Sequence, residues 1–89
     1  MDQGEIVRVI TAVLQETQTL SGRVWQSVDL NTRPIGQLEG FDSLCGLEAT
    51  LMLETRLGCS FEESLFVAAD GKRPLALREI AAVIATHVK

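Results

Sequence analysis

The sequence has few aromatic residues: three Phe, one Trp and no Tyr among 89 residues. Because 46% of the residues are hydrophobic, the core must be built mainly from aliphatic side chains. A chain of this length buries roughly 60–65% of the surface that its unfolded form exposes. The sequence therefore predicts a single small domain, residues 1–89, with an aliphatic core and modest stability.

The sequence also lacks a long apolar run. The longest one, Ile80 to Ala85, has six residues, whereas a helix needs about 20 apolar residues to span a bilayer. The first five residues include Asp2 and Glu5 and no base, unlike the basic start of a secretory signal. We therefore expect a cytoplasmic protein without a membrane span.

Residues that perform catalysis or bind metals are scarce. His87 is the only histidine, and no recognisable partner stands near it in the sequence, so it makes a poor general base. Cys45 and Cys59 are separated by thirteen residues with no His nearby, a spacing that fits neither a zinc motif nor a dithiol redox site. We expect two reduced cysteines, no metal site and no catalysis by the chain itself.

Two segments have the apolar spacing of amphipathic helices. The first predicts a helix from about residue 3 to 17, for which Asp2 and Glu5 can supply a capping box. The second predicts a helix from about residue 43 to 57 that ends at Gly58, since glycine is favoured just beyond helix C-termini. A long connection separates the two helices.

The remaining segments predict a third main helix and its connections. Pro74 suits the first turn of that helix. Its apolar face consists of Leu77, Ile80, Ala81, Ile84 and Val88. The connection over residues 18–41 carries apolar side chains that can pin it across the bundle, a short turn of helix is predicted near residues 62–66, and Asp70 and Gly71 predict a turn. The predicted fold class is all-α: a small helical bundle of three main helices plus one short helix, with a long first loop.

Ser43 stands where the long loop meets the second predicted helix. Backbone N–H groups in the first turn of a helix lack partners and the helix dipole favours negative charge there, so a phosphate on the Ser43 hydroxyl would be well tolerated. A simpler interpretation is that Asp42 or Ser43 only caps the helix, since both residue types are favoured N-caps. No Glu or Gln follows at the position that would complete a capping box.

The second predicted helix has two apolar stripes on a helical wheel. One stripe consists of Ala49, Leu53 and Leu57. The other consists of Leu44, Leu47 and Leu51. A helix with one core-facing side needs only one stripe. Either both stripes are buried, one of them beneath the long loop, or the second stripe is available to partners.

Negative charge is concentrated around this helix. Residues 39–63 hold six acids against one base, a net charge of −5, whereas the rest of the chain holds six acids and seven bases, a net charge of +1. A charge run is usually only a solvated face. An acidic face with exposed leucines beside a modifiable serine nevertheless suits docking of basic enzyme surfaces. Nucleic acid is not an expected partner of such a surface.

The pentapeptide Gly40-Phe41-Asp42-Ser43-Leu44 resembles the attachment motif of acyl carrier proteins. Chain length, charge layout, the long first loop and the pattern of residues 77–84 are also similar to that family. The resemblance covers nearly the whole chain and is specific around residues 38–57. It implies an acyl-carrier-like fold in which Ser43 carries covalent 4′-phosphopantetheine, transferred from coenzyme A by a phosphopantetheinyl transferase.

The resemblance also implies a cargo and partners. Acyl intermediates would be carried as thioesters on the thiol of the 4′-phosphopantetheine group, which forms a long arm. The carrier would present them to acyl-loading and acyl-using enzymes of fatty acid, lipid or polyketide-type biosynthesis. Members of the family can shelter the acyl chain between their helices, and an aliphatic core would permit this here. The docking face implied for the enzymes consists of Asp42, Leu44, Leu47, Glu48, Leu51 and Glu54. The carrier is expected to be a monomer.

Two alternatives stay open at this point. One is an aminoacyl or peptidyl carrier, although Asp42 favours the acyl type because many peptidyl carriers have His before the serine. The other is an unmodified helical interaction module in which Ser43 is only a cap. Cys45 and Arg56 occupy positions that are often acidic in carriers of fatty acid synthesis, so a specialised carrier is at least as consistent with the sequence as a housekeeping one. The acyl group and the pathway do not follow from the sequence.

Overall fold

The computed structural model describes residues 2–61, 63–68 and 71–88. Within this part of the chain there are four helices and no strand. The helices are α1 (Gln3–Leu20), α2 (Pro34–Gln37), α3 (Ser43–Leu57) and α4 (Leu77–Ala85). The all-α prediction is confirmed, and α3 has the predicted bounds. None of the described helices combines the length and the apolar character that a membrane crossing requires.

The first helix begins where the sequence predicts and ends later. Asp2 is its N-cap, because Asp2 Oδ1 accepts a hydrogen bond from the Glu5 N–H at 2.8 Å. The helix does not stop near residue 17 but continues to Leu20, and its last turn contains the buried side chain of Gln18. The chain leaves the helix at Gly22, whose φ of +73° is a left-handed conformation that favours glycine.

The core lies between α1 and the other two main helices, both of which α1 contacts. It is mostly aliphatic, with one aromatic pair formed by Phe41 and Phe66, whose ring centroids are 5.4 Å apart. The core residues from the helices are Ile6, Ile10, Val13, Leu14, Ala49, Leu53, Leu77, Ile80, Ala81 and Ile84. The composition thus predicts the chemical character of the core correctly.

The short helix lies in a different place from the predicted one. Residues 63–66 form a turn and no helix, while Glu62 lies outside the described residues. The short element is instead α2, inside the first loop, where Pro34 begins a single turn whose interior is not helical: Ile35 has a ψ of 115° and Gly36 a φ of +103°. Proline suits the first position of such a turn because its φ is already fixed and it has no N–H to satisfy.

The last helix begins later than predicted, and Pro74 is not in its first turn. Residues 73–75 pair instead with residues 66–68 through two backbone hydrogen bonds of 2.8 and 2.9 Å, and Pro74 forms an antiparallel bridge with Val67. This extended pairing prevents helix formation until Leu77.

The turn predicted at residues 70–71 is described only in part. Gly71 has a φ of +74°, and its N–H donates to the Ala68 carbonyl oxygen at 2.8 Å. Asp70 lies outside the described residues.

The long first loop is fastened to the start of α4. The Leu77 N–H donates to the Thr32 carbonyl oxygen and the Arg78 N–H to that of Leu30, both at 3.0 Å. These bonds satisfy amides that the first turn of a helix leaves unpaired. Leu38, nearer the end of the loop, is buried in the core, so the loop is held against the bundle at its middle and near its end.

Candidate functional site

Ser43 is the first residue of α3, as the sequence predicts. Asp42 is the N-cap: its Oδ1 accepts from the Cys45 N–H and its carbonyl oxygen from the Gly46 N–H, both at 3.0 Å. The Ser43 side chain is exposed, and within the described residues its hydroxyl has no hydrogen-bond partner. Of the two residues that could cap the helix, Asp42 is therefore the cap and Ser43 is not, and the Ser43 hydroxyl is exposed.

The Asp42 carboxylate has a pKa below its ordinary value. The main cause is the hydrogen bond from the Cys45 N–H, and the Leu44 N–H and the Arg23 guanidinium contribute further. The dipole of α3 also favours a negative charge at this end of the helix. Asp42 is therefore ionised, and caps α3 in its charged form, at neutral pH.

Sequence reasoning misses two residues that contact the chain close to Ser43, one before the serine and one after it. The buried side chain of Gln18 donates Nε2–H to the Glu39 carbonyl oxygen at 2.8 Å. Arg23 Nη1 lies 3.5 Å from Cys45 Sγ. These partners are 21 and 22 residues away along the chain, so no local pattern in the sequence predicts the contacts.

The two stripes of α3 differ in burial. In the buried stripe, Ala49 and Leu53 are fully buried and Leu57 is half-buried. In the exposed stripe, Leu44 is 61% exposed, Leu47 49% and Leu51 62%. The alternative in which both stripes belong to the core is therefore wrong.

The acidic residues beside the exposed stripe have different surroundings. Glu48 is exposed and has no hydrogen bond or ion pair within the described residues. Glu54 is half-buried, and its Oε2 accepts a hydrogen bond from the Phe61 N–H at 2.6 Å. Asp42 and Glu54 thus have structural partners of their own. The docking roles of Asp42, Glu48 and Glu54 stay predictions.

The segment after α3 packs closely against that helix. Thr50 Oγ1 accepts from the Leu65 N–H at 3.0 Å and donates to the Gly46 carbonyl oxygen at 2.7 Å. A Cβ at Gly46 would lie 3.3 Å from Phe66 Cβ. Glycine costs about 1 kcal/mol relative to alanine inside a helix, and here it permits the close approach of the segment.

Two adjacent clefts lie next to the segment that follows α3. The smaller, about 310 Å³, borders the exposed stripe and is lined by Leu47 and Leu51 among others. The larger, about 480 Å³, contains no residue of the stripe and is lined by residues of this segment together with Leu75, Val83 and His87. Phe61 lines both clefts, and its ring meets that of His87 edge-on with centroids 5.2 Å apart. Phe61, Glu63 and Ser64 line both clefts, so the two are adjacent.

The other candidate reactive residues do not form a site. Cys45 and Cys59 are free thiols. His87 Nδ1 lies 3.0 Å from the Val83 carbonyl oxygen, at the end of α4. Among the described residues, no group of three or more His, Cys, Asp or Glu is placed to hold a metal ion. The candidate functional site is thus the N-terminal end of α3 together with its exposed stripe.

Comparison of the chain with protein-family models, with curated proteins and with solved structures found no match. The function therefore has to be inferred from the residues themselves and from their placement. Ser43, its cap Asp42 and the exposed stripe carry that inference.

Proposed function

We propose that the protein is an acyl carrier protein that holds acyl intermediates as thioesters on a 4′-phosphopantetheine arm attached to Ser43. The observation that carries the proposal is the exposed Ser43 hydroxyl, without a partner in the described residues, at the first position of α3. It lies within the pentapeptide, residues 40–44, that resembles the attachment motif of this family. The long first loop before α3 is a further supporting feature.

Attachment of the arm requires no catalytic group from this chain. Ser43 Oγ attacks the phosphorus of coenzyme A that bears the pantetheine, an O–P bond forms, and the bond to the bridging pyrophosphate oxygen breaks. Adenosine 3′,5′-bisphosphate leaves, and the hydroxyl proton passes to a base of the transferase. No electron is transferred. The new phosphodiester carries its negative charge at a helix N-terminus, where the dipole favours it.

The exposed stripe suits the docking of partner enzymes. Its leucines lie on the helix that begins with Ser43, and Glu48 adds a negative charge without an intramolecular partner in the described residues. Apolar contact would supply affinity, while a basic rim on the enzyme would complement the net charge of −5 over residues 39–63. The partners we expect are the phosphopantetheinyl transferase and the enzymes that load and use the acyl group.

The clefts suit an acyl chain that folds back from the arm. A volume of about 480 Å³ falls within the range of small-molecule sites in proteins, roughly 300–1,000 Å³. The smaller cleft is lined by Leu47 and Leu51 of the exposed stripe and shares three lining residues, Phe61, Glu63 and Ser64, with the larger one. An acyl chain would therefore enter beside Leu47 and Leu51 and reach the space next to α4.

An unmodified interaction module is the second candidate, because an exposed apolar stripe would serve it equally well. An aminoacyl or peptidyl carrier would differ from our proposal in its cargo and would use the same Ser43. Modification of Ser43 separates the interaction module from both kinds of carrier.

The test is incubation of the purified protein with coenzyme A and a broad-specificity phosphopantetheinyl transferase. We expect the intact mass to rise by one phosphopantetheine unit and Ser43→Ala to abolish the rise. Ser27→Ala is the matched control, because Ser27 is also exposed but lies in the first loop. Resistance of the wild type to several transferases, or continued modification of Ser43→Ala, would contradict the proposal.

A further inference from the structure

We infer that Arg23 is a positioning residue for attachment of the arm: its guanidinium holds the turn at Gly40 and thereby fixes how Ser43 is presented. The inference rests on the proposed function. Arg23 lies in the first loop, twenty residues before Ser43, outside the motif around the serine. Three sets of contacts support this role: those of the Arg23 backbone with the end of α1, those of its guanidinium with Gly40 and Cys45, and those with the side chain of Gln18.

The backbone of Arg23 is fixed to the end of α1. The Arg23 N–H donates to the Gln18 carbonyl oxygen at 2.9 Å, and the Gly22 N–H donates to that of Thr19 at 3.0 Å. These two bonds, with Gly22 in the left-handed conformation, form the Schellman motif that ends many helices. Arg23 therefore has a defined position although it begins a long loop.

The guanidinium of Arg23 lies against the backbone of Gly40. A Cβ at Gly40 would be only 2.5 Å from Arg23 Nε and 2.8 Å from Arg23 Cζ. On the far side of Ser43 in the sequence, Cys45 Sγ lies 3.5 Å from Arg23 Nη1. One side chain thus contacts the chain both before and after Ser43.

Gln18, in the last turn of α1, contacts both Arg23 and the turn before Ser43. Its Oε1 accepts from Arg23 Nη1 at 3.3 Å, and its Nε2–H donates to the Glu39 carbonyl oxygen at 2.8 Å. Gln18 is buried, so its amide has little freedom to rotate away. Two side chains at and just beyond the end of α1 therefore hold residues 39–40. Gln18 donates to the Glu39 carbonyl oxygen, and Arg23 lies against Gly40.

A transferase acts on Ser43 only when the hydroxyl reaches the reacting phosphorus in the right geometry. A misplacement of about 1 Å can slow a reaction by about 100-fold. If Arg23 holds the turn, its removal should lower kcat for arm transfer by about ten- to 100-fold in protein that is still folded. If Arg23 only stabilises the fold, the melting temperature should fall while kcat and KM of the folded protein stay unchanged.

The decisive variants are Arg23→Ala and Gly40→Ala, with Gly58→Ala as the matched control. Gly40 and Gly58 have φ values of +67° and +69°, so alanine is strained to a similar extent at both positions. A Cβ at Gly58 meets nothing within 4 Å, whereas a Cβ at Gly40 would displace Arg23. We expect Gly40→Ala and Arg23→Ala to lower kcat, and Gly58→Ala to lower only the melting temperature.

Two further variants sharpen the assignment. In an Arg23→Ala background, Gly40→Ala should cause little additional loss of kcat, because the group that it displaces is gone. Arg23→Lys should restore only part of the rate, since an ammonium group keeps the charge but lacks the Nε and Cζ atoms that lie against Gly40. Additive losses in the double variant, or full rescue by lysine, would overturn a role for the guanidinium face.

Alkylation of Cys45 tests the contact without the transferase. In a Cys59→Ser background, Arg23→Ala should change the rate at which the buried Cys45 thiol reacts with iodoacetamide, because it removes a group in contact with the sulfur. An unchanged rate would overturn the inference. Wild-type protein that no transferase modifies would overturn the proposed function and this inference with it. Equal kcat and KM for the wild type and folded Arg23→Ala would overturn only the inference about Arg23.

Discussion

The two faces of α3 use the same residue type in opposite ways. Leu51 and Leu53 are two positions apart, yet Leu53 is fully buried while most of the Leu51 side chain is in water. Full burial of a leucine contributes about 1.5–3 kcal/mol, and each leucine of the exposed stripe, being 49–62% exposed, loses about half of that contribution or more. Single exposed leucines are normal on protein surfaces. Three in one stripe on the helix that begins with Ser43 form an exposed apolar surface, which supports the docking role that we propose for it.

The polar residues of α3 differ between its two sides in the same way. The hydroxyl of the buried Thr50 accepts a hydrogen bond from the Leu65 N–H and donates one to the Gly46 carbonyl oxygen. Glu48, beside the exposed stripe, has no partner within the described residues. The buried side of α3 stabilises the domain, and the exposed side makes fewer contacts within the described residues. The following predictions test that division.

The largest effect is expected in the buried stripe. Leu53→Ala should lower the free energy of unfolding by about 2–5 kcal/mol, because it removes methyl groups from a packed site and leaves a cavity. Leu47→Ala should cost much less, since Leu47 is 49% exposed. Denaturant unfolding of both variants measures the difference. Equal, large losses would show that the exposed stripe also contributes to the folded core.

Loss of the buried hydroxyl of Thr50 should have the next largest effect. Thr50→Val keeps the shape of the side chain but leaves the Leu65 N–H without its partner, which costs about 1–3 kcal/mol for a buried group. Thr55→Val is the matched control on the same helix, because the exposed Thr55 hydroxyl bonds only the Leu51 carbonyl oxygen one turn earlier. Equal unfolding free energies of the two variants would contradict the role given to Thr50.

The sequence predicts α3 well because every signal for it is local. Asp42 caps the helix, leucines recur at helical spacing along it, and Gly58 ends it with a φ of +69°. The placement of Ser43 in the first turn follows from the same signals. Where the residues that decide a structure are neighbours in the sequence, pattern and propensity are sufficient.

The misplaced elements are decided by contacts between distant residues. Pro74 would suit a first helical turn on local grounds, but pairing of residues 73–75 with residues 66–68 overrides that preference. The contacts of Arg23 with Gly40 and Cys45 are equally invisible in the sequence, since they depend on how α1 and α3 meet. The position of Ser43 in the first turn of α3 could be predicted from the sequence, but the contacts that Arg23 makes around it could not.

The capping carboxylate of Asp42 should give a smaller, pH-dependent contribution. Because its folded-state pKa is lowered, its charge stabilises the fold above the ordinary aspartate pKa of about 4. This stabilisation is lost as the pH falls through the lower folded-state value. Asp42→Asn keeps a capping oxygen without the charge. The melting-temperature difference between wild type and Asp42→Asn should be constant above about pH 5 and shrink below about pH 4. A difference that does not change with pH would contradict the lowered pKa.

The smallest effect is expected at the exposed stripe, on rates rather than on stability. Glu48→Lys reverses a charge beside the leucines and should slow arm transfer by the transferase a few-fold, because like charges oppose the approach of a basic surface. Glu5→Lys is the matched control: Glu5 is exposed in the first turn of α1, and the substitution changes the net charge by the same amount. Both variants should remain folded, which their melting curves will show.

Salt distinguishes a localised docking face from a general effect of net charge. Exposed charges are screened over about 8–10 Å at physiological ionic strength, so the loss caused by Glu48→Lys should shrink as salt is added. Glu5→Lys should leave the rate almost unchanged at low and at high salt. Transfer rates of wild type and both variants over a series of salt concentrations measure this. Equal slowing by the two substitutions would mean that the transferase responds to net charge and does not dock on the exposed stripe. A rate of Glu48→Lys that stays low in high salt would assign the loss to direct contact of Glu48 rather than to long-range attraction.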